Sequence, residues 1–297
     1  MLIDLTLRCN EQCPHCFVNA LPDSGHMSYE TLYETINFVK KSKSNILIVS
    51  GGEITADPDF CKKIQKISFW LRGTDTKIIL ESNGVWIRRN SESMILSPEE
   101  DETNKKLRSD IKMLMSNPRI IAMQVSSHRD FYQHYNDIVA ANNMGWFKEV
   151  SNKITVVIDW QGESTNLHYL GRAQNILDPN NLKGYPCCIN LLLSSRQIDK
   201  IRIQCRLNNN LTDWETLIMY MEQIRHRFCT PSIDINGKVH VGETPYCMSI
   251  GDVSELNKHS GIMMSELIMS RMNSMKFCDK CKVAKNLDPN IRNKFNL

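Results

Sequence analysis

The chain has 297 residues, 41% of them hydrophobic and 23% charged, with a formal net charge of +3. This length suits one large domain with a smaller attachment, and the composition is that of an ordinary globular protein. The small net charge argues against a general nucleic-acid or membrane-surface role, and no apolar run reaches membrane-spanning length.

The opening "MLIDLTLRCNEQ" has no basic leader, no long apolar region and no small-residue cleavage site. A cytoplasmic protein with reduced thiols is therefore expected, and an odd total of eleven cysteines then points to metal or redox chemistry rather than disulfides. Leu2 to Leu7 reads as a strand. Ser28 is placed to cap a helix whose stripe is Tyr29, Leu32, Tyr33, Ile36 and Val39. "NILIVSGG" is a buried strand ending in glycines. In "ADPDFCKKIQKISFWLRG", Asp57 and Pro58 offer a helix start, and Phe60, Ile64, Ile67 and Leu71 form the stripe.

"TKIILESNG", "RIIAMQVSS" and "KITVVID" read as later strands, and Arg88 to Ser116 as a surface loop and outer helix. Strands alternating with helices imply a parallel sheet of about six strands by residue 190, fewer than a closed eight-stranded barrel needs. The expected class is α/β, an incomplete (β/α)6 barrel. After Pro186, turn signals and scattered cysteines replace this rhythm, so the parts are 1–185 and 186–297, the second a small α+β domain.

Cys9, Cys13 and Cys16 follow the first strand, at the sheet end where α/β proteins bind ligands. Three thiols leave one corner of a cubane iron–sulfur cluster open; a zinc site completed by His15 or a distant residue is the alternative. Gly51, Gly52 and Glu53 end the second strand. The glycines allow a ligand close to the backbone, and Glu53 can accept from an ammonium group. Ser82, Asn83 and Gly84 end the third strand and Ser126 the fourth, all on the same rim.

On Cys9-x3-Cys13-x2-Cys16 and Gly51-Gly52-Glu53, residues 1–185 resemble the radical S-adenosylmethionine (radical SAM) enzymes. The resemblance implies a [4Fe-4S] cluster whose open iron takes the amino and carboxylate groups of SAM, and an electron donor such as flavodoxin or ferredoxin. It implies cleavage of SAM to a 5′-deoxyadenosyl radical that takes a hydrogen atom from substrate. Gly51, Gly52 and Glu53 would hold the methionine amino group, and Ser82, Asn83 and Ser126 its carboxylate and the ribose. The residue before the last cysteine is usually aromatic in the family; here it is His15, planar enough to lie along the adenine.

The C-terminal third holds Cys229, a hairpin-like segment at Asn236-Gly237, Gly242, Cys247, and then Cys278 and Cys281. Two separated pairs can close a zinc site or a full iron–sulfur cluster. C-x12-G-x4-C resembles the auxiliary-cluster extension of the same superfamily. With so few residues after Cys281, it resembles the one-cluster twitch form rather than the longer SPASM form, which implies a second [4Fe-4S] cluster on these four cysteines.

Arg172 in "GRA" either pairs with a substrate or SAM anion or makes a structural salt bridge; Cys61 reads as core, and Cys205 has no assigned role. Cys187 and Cys188 are either half-buried thiols or, one of them, a hydrogen-atom donor to a substrate radical. The family's chemistry leads to a ribosomally made peptide as substrate, crosslinked, epimerised or oxidised. A small sugar or aminocyclitol is the second possibility. The first strand starts at residue 2, so a fused N-terminal peptide-recognition domain is not expected. A non-catalytic zinc-binding adaptor is the alternative of another class; it leaves Gly-Gly-Glu unexplained.

Overall fold

The computed structural model describes residues 1–13, 16, 18–90, 95–127, 134–158, 231–240 and 249–260. Five parallel strands form one side of the sheet: β1 (Leu2–Thr6), β2 (Ile46–Gly51), β3 (Lys77–Ser82), β4 (Ile120–Ser127) and β5 (Ile154–Ile158). Between them run α1 (Tyr29–Lys41), α2 (Phe60–Trp70), α3 (Pro98–Met115), α4 (Tyr135–Asn143) and α5 (Trp146–Val150). The architecture is thus the alternating α/β one expected. Parallel strands put the carboxyl ends of β1 to β4 on one rim.

Alternation decides which strand face is covered. Ile3, Leu5, Leu47, Val49, Ile78, Leu80, Met123 and Val125 belong to the apolar core. Leu32, Ile36, Val39, Phe60, Ile64, Ile67, Ile111 and Leu114 join them from the helices. Of the expected α1 stripe, Leu32, Ile36 and Val39 are buried, whereas Tyr29 is half-buried and Tyr33 stays exposed. Ser28 caps α1 by accepting from Thr31 N, and Ser97 with Glu100 forms a capping box at the start of α3.

Asp57 does not cap α2 as the Asp-Pro pattern suggested; the helix starts at Phe60, after Asp59. Its Oδ1 accepts from Asp59 N at 2.8 Å, and its Oδ2 receives Lys63 Nζ at 2.6 Å, both side chains being buried. A buried pair that can be satisfied only internally outcompetes an exposed cap. Removing one partner strands the other charge, so Asp57→Ala is expected to cost about 3–5 kcal/mol in urea unfolding. Asp57→Leu combined with Lys63→Met should cost clearly less.

The chain described after residue 230 does not stand apart from this sheet. The sheet order is β5-β4-β3-β2-β1-β6-β7-β8, with β6 (Ser232–Ile233), β7 (Lys238–His240) and β8 (Ser249–Asp252) beyond β1. β6 lies parallel to β1, pairing Leu2 with Ser232 and Ile3 with Ile233. The open edge of β1 would otherwise leave unpaired peptide groups. The turn at Asn236-Gly237 forms as expected, with Gly237 at φ +82° and its N–H donating to Asp234 O at 2.9 Å. A short helix, α6 (Val253–Leu256), follows, and Asn257 just beyond it donates to Glu34 of α1 at 2.7 Å.

A sixth barrel strand and the boundary at 185/186 lie outside the described residues. Among those described, no helix is long and apolar enough to cross a membrane.

Candidate functional site

The site begins where β1 ends. The Thr6 hydroxyl accepts from Arg8 N at 3.0 Å, turning the chain into the cysteine loop. The loop closes on its own return segment: Leu7 N donates to Gly25 O, Leu21 N to Leu7 O and Cys9 N to Leu21 O, at 2.8–3.2 Å. Cys9 and Cys13 are buried, Cys16 is half-buried, and all three are free thiols. Backbone N–H groups already point at two sulfurs, Glu11 N at Cys9 Sγ and Ala20 N at Cys16 Sγ, each at 3.4 Å. Such donors favour a sulfur that carries negative charge.

Burial pushes the Cys9 thiol up to about 12, the charges of Glu53, Cys16 and Glu11 add to this, and only the Glu11 N–H opposes it. A thiolate at Cys9 therefore needs a positive centre beside it, and a metal cluster supplies one. In that respect the donor set fits an iron–sulfur cluster. Among the described residues, no three His, Cys, Asp or Glu side chains are gathered around a point that could hold a single metal ion. His15 lies outside the described residues.

The end of β2 is pressed against this loop. Gly52 N donates to Thr6 O at 2.8 Å and Glu53 N to Arg8 O at 2.7 Å. Gly51 has φ +143°, and a Cβ there would stand 2.1 Å from Thr6 O; one on Gly52 would stand 2.4 Å from Arg8 O. The neighbour these glycines admit is the exit of β1.

Glu53 is 1% exposed. Its Oε1 accepts from Thr55 N (3.0 Å), Thr55 Oγ1 (2.6 Å) and Ser82 Oγ (2.8 Å), and its Oε2 from Asn83 N (2.5 Å). Burial raises its carboxyl above the ordinary range, and these four donors hold the rise back. Oε1 is crowded, while Oε2 has capacity for one more donor.

Ser82 stands behind Glu53: its hydroxyl accepts from Trp86 Nε1 (3.0 Å) and Gly84 N (3.1 Å) while donating to the carboxylate. Asn83 faces the cysteine loop. Its Nδ2 donates to Asn10 Oδ1 at 2.8 Å and lies 4.0 Å from Cys9 Sγ, and its Oδ1 accepts from Val85 N. Ser126 is half-buried at the same end of β4. The structure thus brings Cys9, Gly51, Gly52, Glu53, Ser82 and Asn83 into one hydrogen-bonded assembly.

His134 joins it without any signal in the sequence. It is fully buried at the start of α4, and its Nε2 meets Asn83 O at 2.9 Å while Nδ1 meets Glu11 Oε1 at 3.0 Å. A carbonyl oxygen can only accept, so Nε2 carries a hydrogen. Thr55 was legible in principle, since a hydroxyl residue two positions after an acidic one commonly bonds back to it.

Cys61 lies half-buried on α2 against the core. Arg172, Cys187, Cys188, Cys205, Cys229, Gly242, Cys247, Cys278 and Cys281 lie outside the described residues.

Residues 3–108 match the sequence profile of the Radical SAM superfamily. The match covers the N-terminal third of the chain. Over 86 residues the chain is 33% identical to a "Putative peptide biosynthesis protein YydG" of Bacillus subtilis (strain 168); the match covers 28% of this chain and 26% of that protein. Among solved structures, BtrN in complex with AdoMet and 2-DOIA superposes with a TM-score of 0.45 at 11% identity, over 93% of this chain and 85% of that one. Streptococcus suis SuiB bound to S-adenosylmethionine gives 0.43 at 11%, over 95% and 71%. Native anSMEcpe with bound AdoMet and Cp18Cys peptide gives 0.41 at 13%, over 95% and 86%.

Proposed function

We propose that this chain is a radical SAM enzyme that abstracts a hydrogen atom from a peptide substrate. The observation that carries the reading is the buried Glu53 carboxylate, fixed by four donors and hydrogen-bonded through Asn83 to the loop bearing three reduced cysteines. Cys9, Cys13 and Cys16 would hold a [4Fe-4S] cluster with one iron left for SAM. When bound, that cluster supplies the electron that cleaves SAM to a 5′-deoxyadenosyl radical.

The chain's own residues prepare the site. Glu53 Oε2 keeps acceptor capacity for the methionine ammonium, because Thr55 and Ser82 occupy Oε1. Ser82 acts by positioning Glu53. Asn83 aligns the rim with the cysteine loop, and Ser126 supplies a further hydroxyl on that rim. Gly51 and Gly52 hold β1 and β2 close enough for these groups to meet.

A peptide substrate is supported by the 33% identity to a relative whose name places it in peptide biosynthesis. The proposal includes an incomplete six-stranded barrel over residues 1–185 and a twitch-type part over 186–297. In that part Cys229, Cys247, Cys278 and Cys281 would hold a second [4Fe-4S] cluster that accepts the substrate's electron. A flavodoxin or ferredoxin would reduce the first cluster. Cys187 or Cys188 would return a hydrogen atom if the outcome is epimerisation.

The test is anaerobic reconstitution and reduction by dithionite. About eight irons per chain, at four per cubane cluster, and release of 5′-deoxyadenosine are expected. A deuterated candidate peptide should pass deuterium to that product. An iron-loaded protein that releases no 5′-deoxyadenosine would overturn the reading.

A further inference from the structure

We propose that Asp4 and Glu81 form a recognition site for a cationic group of the substrate, an ammonium or a guanidinium, on the sheet face turned away from the helices. This rests on the enzymatic reading above and names a chemical feature of its substrate.

Register places a polar row across neighbouring strands. Asp4 pairs with Ser50, and Glu81 with Gln124. Val49 pairs with Leu80, which puts Ser50 beside Glu81, and Ile3 pairs with Ile233, which puts Asp4 beside Asp234. Their neighbours Ile3, Val49, Leu80, Met123 and Ile233 belong to the apolar core, so the row occupies the opposite face. Asp4 lies two residues before Thr6, one side-chain layer, or about 7 Å, below the rim that carries Glu53. A substrate reaching the rim can place a side group there.

The charges on this row are unbalanced. Asp234 is satisfied by its own turn: Asn236 N and Lys238 N donate to Oδ1 at 2.9 and 3.0 Å, and His240 Nε2 meets Oδ2 at 3.1 Å. Burial alone would raise Asp234, but these donors hold it below the usual range, so its negative charge persists beside Asp4. Asp4 is 7% exposed, and no hydrogen-bond donor among the described residues pairs with its carboxylate, on which the His240 imidazole acts only through its charge. Burial pushes it up to about 7, with Asp234 and Glu81 adding and His240 opposing. Burial likewise raises Glu81, eased by Ser50.

An unpaired buried carboxylate is costly, and a neutral residue would serve packing better. Among the described residues, Asp4 is nine-tenths buried, has no hydrogen-bond donor and stands in an acidic row where the His240 imidazole is bonded to Asp234. Its missing partner is a cation that arrives with the substrate. A lysine or arginine side chain of a peptide and the amine of an aminocyclitol share that chemistry.

The test uses the full chain, reconstituted anaerobically with iron, sulfide and SAM, and isothermal titration at pH 8. Nα-acetyl-lysine amide is compared with Nα-acetyl-norleucine amide, and cyclohexylammonium with cyclohexanol. At least one cation should bind about tenfold more tightly than its neutral partner. Preference in the lysine pair indicates a peptide source, and preference in the ring pair a cyclitol amine. Asp4→Asn combined with Glu81→Gln should reduce the preference to about twofold or less. Asp4→Asn alone, an isosteric change that removes one buried charge, should at least halve it and carries the test if the double variant does not fold.

The proposal is overturned by equal affinities within both pairs, by no cation binding up to about 10 mM, or by a preference that survives the substitutions. Release of 5′-deoxyadenosine on reduction of the same wild-type samples reports separately on the enzymatic reading. If it is released without any cation preference, only the present inference fails.

Discussion

Alanine at Cys9, Cys13 or Cys16 is expected to remove the brown chromophore of the proposed N-terminal cluster and to lower 5′-deoxyadenosine formation at least about a thousandfold, to background. The three thiols stand on one loop that its own backbone bonds hold closed between Leu7 and Gly25. Two of them receive backbone N–H groups, so their places are set before any metal arrives. With two thiolates left, the cluster loses a corner it cannot recover from nearby, because Glu11 is turned to His134 and Glu53 to Thr55, Ser82 and Asn83. If the C-terminal cysteines hold a second cluster, about four of eight irons should remain, which separates this loss from unfolding. Iron analysis, the visible spectrum and product chromatography read the outcome. Full turnover in any of the three variants would contradict the assignment.

Gly51→Ala is expected to be the most damaging single change outside the cysteines, costing about 4 kcal/mol or more in chemical denaturation or leaving no soluble protein. Two causes add. At φ +143° a side chain is strained whatever its surroundings, and the new Cβ would stand 2.1 Å from a backbone oxygen of Thr6. That oxygen ends the strand that leads into the cysteine loop and already accepts from Gly52 N, so it cannot withdraw without opening the β1–β2 junction. Gly73→Ala is the control. It also has positive φ, at +81°, but nothing lies within 4 Å, and it should cost only about 1 kcal/mol.

The sequence made periodic features legible and left particular partnerships hidden. The α2 stripe, the aliphatic positions of the α1 stripe and the five strands up to Ile158 follow from spacing of 3.6 and 2 residues, and the core contains both sets of stripe residues. The cysteine triplet, the two glycines and Glu53 were visible because small or chemical residues at strand ends are unusual. Why the glycines are needed was not visible, since Thr6 and Arg8 press on them from another strand. Asp57 carried a helix-start pattern, and a buried lysine six residues on changed its use. His134 sits at no motif; only the fold brings it between Glu11 and Asn83. The turn at Gly237 was legible as a local signal, but the pairing of its first strand with residues 2–3 was not, because no local pattern encodes a partner so far along the chain.

That distant pairing also bears on how the protein is made. Among the described residues, the start of one edge of the first strand, at Leu2 and Ile3, is paired by residues 231 to 233, whereas its end bonds to the nearby Gly25 and Met27. At roughly 5–20 residues per second, a ribosome takes on the order of 10–45 s to reach that distant segment after completing residue 6. Throughout that interval a nascent strand whose hydrogen-bonding edge is open at its start is exposed to mispairing. Slower translation or lower temperature during expression should therefore favour recovery of soluble chain only where holding factors shield that edge, and coexpressed chaperones should raise the yield more than added iron does.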